Sequence, residues 1–152
     1  MKRINGMKES FQHSKIVYLI TYSKDGKIHS RPMTNFNEDP YNTIWFPTYR
    51  ETRKIKDITE NNKIMIIFPN LENKFYYEIE GEATFEDPEI VKAKWRWWYL
   101  YWHPEIADKF IFSNNTPHPE RMIINIKPIN AKTLSEDEVG HISQGYKTII
   151  PY

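Results

Sequence analysis

The sequence predicts a mainly β chain with a few short α-helices, folded as a closed or partly closed antiparallel barrel. Three observations carry this prediction. Runs rich in β-branched and aromatic residues recur along the chain, turn residues separate them, and only short helical stretches lie between. The 152 residues read as a single domain (1–152), with a core at about 10–134 and a C-terminal tail at 135–152.

Ile16 to Tyr22 and Lys27 to Phe36 form a predicted hairpin around Asp25-Gly26, the clearest local turn signal. Arg31 falls in the middle of the second strand, next to Pro32. Proline has no N–H for a sheet ladder, so this strand is expected at an edge or a bulge. Thr43 to Phe46 reads as a third strand, and Ile55 and Ile58 predict one short helix beyond it. Thr48 and Glu51 have capping-box spacing, with Thr52 an alternative cap. Lys63 to Phe68 is a continuous apolar run between Asn62 and Pro69, as in a strand buried on both faces. Phe75 to Phe85 is a long, partly alternating strand, and Arg121 to Ile129 is another apolar run, ended by Pro128. Asp87 and Pro88 open a helix that His103-Pro104 should break or redirect. Ser113 to Pro119 is a turn-rich connection. The tail from Ser135-Glu136-Asp137-Glu138 is polar and expected to be mobile until Ile142, ordering against a partner.

Composition excludes several functions. Without cysteine there is no disulfide framework, thiolate catalysis or Cys-based metal site. His13, His29, His103, His118 and His141 show no ligand spacing, and no metal is expected; His29 shares a strand face with Arg31. The N-terminus has no apolar run behind Lys2 and Arg3, and no stretch approaches the roughly 20 apolar residues that span a bilayer. A cytoplasmic protein with no membrane partner is the expectation. A net charge of +1 argues against nucleic-acid binding, which needs a strongly basic face. Residues 1–60 nevertheless carry 11 Lys/Arg against 7 Asp/Glu.

That excess includes Arg31, Arg50, Arg53 and Lys54, and the segment Phe46 to Lys54 points to a phosphate. Arg53 and Lys54 fall in or near the first turn of the predicted helix, where the dipole disfavours cations by about 0.3–1 kcal/mol each. A bound anion would remove that conflict, because free backbone N–H groups, hydroxyls and guanidinium would converge on it. The competing reading is that both are solvated surface cations beside Glu51 and Asp57.

These residues resemble the pyridoxamine 5'-phosphate oxidase-like FMN-binding split β-barrels, in the general stress protein 26-like branch, over roughly Ile16 to Leu134. Arg31-Pro32-Met33 is similar to the family's strand that reaches the flavin. Phe46 to Lys54 matches, without a gap, its aromatic-x-Thr-x-x-x-Ser/Thr-Arg-Lys phosphate segment. Tyr76 to Ala83 resembles its long strand with an "EG" pair. The resemblance implies a split antiparallel barrel binding FMN through Arg31, Pro32, Met33, Phe46, Thr48, Thr52, Arg53 and Lys54. It also implies a homodimer with the cofactor between subunits. Tyr76 stands where the vitamin B6 oxidases carry glutamine, and no Arg-x-His signature accompanies His141. The resemblance therefore extends to cofactor binding and not to the B6 reaction.

The functional expectation is a flavin-dependent oxidoreductase of unknown substrate, with NAD(P)H or a small molecule as donor and no assigned catalytic residue. Alternatives are a non-catalytic flavin-binding stress protein, a split barrel holding deazaflavin F420 or haem, and an oligonucleotide-binding barrel. The helix from Pro88 is apolar around much of its girth, with Val91, Trp95, Trp98 and Trp102 on one stripe and Trp97 and Tyr101 on a neighbouring one. Core plus subunit interface, a wall over the flavin or substrate pocket, and a membrane-surface helix are the competing readings. Scarcity of Lys/Arg on the polar face counts against the last, and the enrichment of aromatics at interfaces favours the first.

Overall fold

The computed structural model describes residues 1–106 and 120–142. The turn-rich segment at Ser113 to Pro119, with His118, and the tail beyond 142 lie outside the described residues. Along the chain run α1 (Met7–His13), β1 (Ile16–Tyr22), β2 (Ile28–Thr34), β3 (Ile44–Tyr49) and α2 (Arg53–Glu60). They are followed by β4 (Lys63–Pro69), β5 (Tyr76–Phe85), α3 (Pro88–Trp102), β6 (Arg121–Leu134) and α4 (Glu136–Ile142).

All six strands form one antiparallel sheet in the order β2-β1-β4-β5-β6-β3, curled into a split half-barrel. The hairpin of β1 and β2 turns at Gly26, whose φ of 85° is a conformation open to glycine at little cost. Strand β2 is an edge, so Pro32 disrupts no ladder on its open side. Between the two edges, the Asn37 amide donates to Trp45 O (3.0 Å) and accepts from Trp45 N (3.1 Å), standing in for a neighbouring strand along β3.

Alternation along the strands sorts the core into two faces. Inside the curl, Val17, Leu19, Phe46, Ile66, Ile79 and Ile124 pack with Met7 and Phe11 of α1 and with Ile55 and Ile58 of α2. On the opposite face Tyr18, Ile20, Ile67, Tyr76 and Leu134 pack beneath Val139 of α4. A third cluster seats α3 on the sheet, where Val91 and Trp95 meet Ile123, and the Trp95 indole donates to Met122 O at 3.0 Å.

Three sequence expectations are corrected. Pro128 does not end its strand; β6 continues to Leu134 because a bulge inserts Ile129 between the pairs Gly81↔Pro128 and Glu80↔Asn130. The tail after Leu134 is helical through Ile142. There Glu138 N donates to Ser135 Oγ and Ser135 N donates to Glu138 Oε1, a reciprocal capping box. The Thr48 and Glu51 pair caps nothing, since Thr48 belongs to β3 and α2 opens after Thr52.

Candidate functional site

Strand β2 and helix α2 bring the basic residues of two separate segments together. On β2 the side chains alternate, so His29, Arg31 and Met33 face the inside of the curl, whereas Pro32 is exposed on the outer side. Arg31 pairs across the sheet with Leu19 and is held from beneath: Nη1 donates to Leu19 O (3.3 Å) and Nη2 to Thr21 Oγ1 (2.9 Å). Thr21 Oγ1 in turn donates to Asp57 Oδ2 at 2.7 Å, and His29 Nδ1 donates to the same oxygen at 2.7 Å. The Asp57 carboxylate, 1 % exposed, also lies 3.9 Å from Arg31 Nη2. A buried carboxylate that accepts this many donors is compensated, and in return it fixes the rotamers of His29 and Arg31.

On α2, Arg53 and Lys54 occupy the first two helical positions, and the first turn contains no acidic residue. Thr52 precedes the helix in extended conformation; its hydroxyl donates to Tyr49 O (3.0 Å) and ties the β3–α2 connection closed. Arg53 is exposed, whereas Lys54 is half-buried. Burial, and then the charge of Arg31, lower the Lys54 pKa below its ordinary value. Two cations from different elements thus repel across a partly dry region, and an anion bound beside Lys54 would offset both its burial and that repulsion.

The remaining predicted residues take supporting places. Thr48 is buried at the end of β3, two residues after Phe46, which has no exposure and belongs to the inner core. Met33 packs against that same core. Asp57 and Thr21 were not legible as site residues. An acidic residue between Ile55 and Ile58 looks like any solvated helix position, and only the packing of α2 on β1 turns it inward. His29 was legible through its spacing from Arg31. Among the described residues no cluster of three or more His, Asp or Glu could hold a metal ion, and no helix is long and apolar enough to cross a membrane.

A curled six-stranded antiparallel sheet with basic residues at its open edge places the molecule among the split-barrel proteins. The model of the pyridoxamine 5'-phosphate oxidase like family matches residues 2–132, and the chain belongs to that family. General stress protein 26 of Bacillus subtilis (strain 168) is 28% identical over 134 residues, 86% of this chain and 87% of that protein. The crystal structure of general stress protein 26 from Bacillus anthracis is similar with a TM-score of 0.59 at 24% identity, over 85% of this chain and 91% of that one. A pyridoxamine 5'-phosphate oxidase-related, FMN-binding protein from Nostoc punctiforme gives 0.62 at 15% identity, over 84% and 78% of the two chains. An F420 reductase gives 0.59 at 19%, over 86% and 98%.

Proposed function

We propose that this protein binds FMN and serves as a flavin-dependent oxidoreductase, with the cofactor phosphate held by Arg31, Thr48, Arg53 and Lys54. The observation that carries this reading is the half-buried Lys54 in the first turn of α2, whose pKa is lowered by burial and by the nearby charge of Arg31, in a turn that contains no acidic residue. Phosphate meets that need with charge and with acceptors for the backbone N–H groups of the first turn. Thr52 shapes the connection, Phe46 backs Thr48 from the core, and Pro32 and Met33 on the edge strand offer open backbone to the isoalloxazine. When bound, the flavin supplies the redox chemistry, and the protein supplies position and electrostatics.

Family membership and the FMN-binding relative from Nostoc punctiforme support the cofactor. The F420 reductase of similar fold supports a second reading, a deazaflavin in the same place. A homodimer completes the proposal. It is supported by Trp97 and Tyr101 of α3, which stack at 5.4 Å yet stay 50% and 55% exposed, as an interface surface would.

Riboflavin has the ring of FMN without its phosphate, so the two ligands separate phosphate recognition from ring binding. In the R53A/K54A variant FMN affinity is expected to fall by about 1.5–3 kcal/mol for each charge-assisted contact removed, with riboflavin affinity unchanged. Titration by visible absorbance and fluorescence reads both. Equal losses for the two ligands, or no loss for either, would overturn the phosphate assignment.

A further inference from the structure

The inner face of β2 carries His29, Arg31 and Met33 in line, roughly 6–7 Å apart along the strand. Met33 lies at the end proposed to meet the isoalloxazine, and Arg31 is a proposed phosphate ligand. His29 therefore stands beyond Arg31, on the side away from the flavin ring. Helix α2 reaches that end through Asp57, whose Oδ2 accepts from His29 Nδ1 and Thr21 Oγ1, both at 2.7 Å, and lies 3.9 Å from Arg31 Nη2. Imidazole and guanidinium thus meet on one oxygen. Lys54 lies one turn before Asp57 on the same helix face, and the charge of Arg31 reaches it.

The His29 ring is held by one edge. The bond from Nδ1 to a carboxylate that is 1% exposed fixes the ring and sets Nε2 on the opposite edge, and the His29 side chain keeps 19% exposure. With Nδ1–H given to Asp57, the neutral ring carries a lone pair on Nε2, which an anion would repel; with a second proton it presents a charged N–H donor instead. Among the described residues the charged groups around it are Asp57, Lys54 and the exposed Arg53 from α2 and Arg31 from β2 itself, while β1 supplies Thr21, which does not titrate. Asp57 is the one negative group in this set. A phosphate dianion bound beside Lys54 would add the negative charge that favours the imidazolium against Arg31 and Lys54.

We propose that His29 is a further ligand of the cofactor phosphate, donating from Nε2 in its doubly protonated form, and that Asp57 is the positioning residue that holds it there. The inference rests on the FMN reading above and adds a proton to it. FMN binds together with one proton taken up by His29, within the range where imidazoles change charge, about pH 5–8. The contribution of His29 to FMN affinity is then full at low pH and fades as pH rises.

Flavin fluorescence titrations of wild type and H29Q at pH 5.5 and pH 8.5 test this. The FMN phosphate titrates in the same range, but its effect is common to both proteins and cancels in the ratio of their Kd values. At pH 5.5 H29Q is expected to bind FMN about tenfold more weakly than wild type, the size of one charge-assisted hydrogen bond, and at pH 8.5 the two should agree within about twofold. Riboflavin, which lacks the phosphate, should not distinguish them at either pH. D57N keeps an acceptor oxygen for His29 and removes the charge that accompanies the imidazolium, so its FMN profile should flatten toward that of H29Q. If H29Q does not fold, NMR of the His29 ring in wild type, assigned through its backbone, gives the reciprocal reading: a tenfold gain in affinity requires that FMN raise the midpoint of its titration by about one pH unit. A Kd ratio that ignores pH, an equal loss of riboflavin affinity, or a His29 titration that ignores FMN overturns the proposal and leaves FMN as the cofactor. A wild type that takes up no FMN at either pH sinks the cofactor reading, and this inference with it.

Discussion

Glu78 sits 2% exposed on the outer face of β5, with Oε1 lacking a hydrogen-bond partner among the described residues and Oε2 3.7 Å from Lys132 Nζ. Burial, opposed by Lys132 and reinforced by Glu80, raises its pKa from the ordinary 4.5 to about 7. Between those values the folded chain binds more protons than the unfolded one, so this carboxyl makes stability fall as pH rises from about 4.5 to about 7 and then level off. Across that window the loss is on the order of 1 kcal/mol per pH unit. E78Q cannot ionise and should lack this component. Urea denaturation of both forms at pH 5 and pH 8 reads the difference: E78Q should gain on the wild type at pH 8, and an equal gap at the two pH values would contradict it. Asp57 is the contrasting buried acid. Its donors from β1 and β2 compensate its charge, while Glu78 has too few. Nothing in the sequence separates the two residues, because burial of a charge is a property of what folds over it.

At the scale of elements, the Glu80-Gly81 pair acquires a physical reason. A Cβ added at Gly81 would lie 2.7 Å from Lys127 O and 2.9 Å from Ile126 Cγ2, both on the facing β6. The glycine is therefore needed for close approach of two backbones beside the bulge at Ile129. Gly81→Ala is expected to cost about 1–3 kcal/mol by overpacking, while Glu82→Ala, one residue on and exposed, should stay within about 0.5 kcal/mol. Guanidinium midpoints decide it; a neutral G81A would mean that β6 moves freely at this point. The same bulge explains why Pro128 failed as a stop signal. Strand ends predicted from proline assume a regular ladder, and the bulge lets Pro128 sit within one. For α4, the Ser135 and Glu138 capping box was present in the sequence, but the acidic run around it read as a mobile tail. The Asp87 cap of α3 was legible and formed as expected, accepting from Glu89 N at 3.1 Å.

For the whole molecule, α3 spends one stripe on the sheet, through Val91 and Trp95, and leaves Trp97 and Tyr101 to solvent in the single chain. If the protein is a homodimer through this stripe, W97E/Y101E should sediment as a monomer where the wild type sediments as a dimer. A double variant that remains dimeric would move the interface elsewhere. The sequence by itself determined the strands apart from the end of β6, the hairpin at Gly26, the edge or bulge that Pro32 requires and the basic segment at the start of α2. Each follows from side-chain period, backbone constraint or charge within a few residues. Tertiary structure alone decided that the charge of Arg31 reaches Lys54, that Asp57 anchors His29 and Arg31, and that Glu78 is buried. These depend on strand order and on helices laid across the curl, and contacts between residues distant in sequence leave little trace in local pattern.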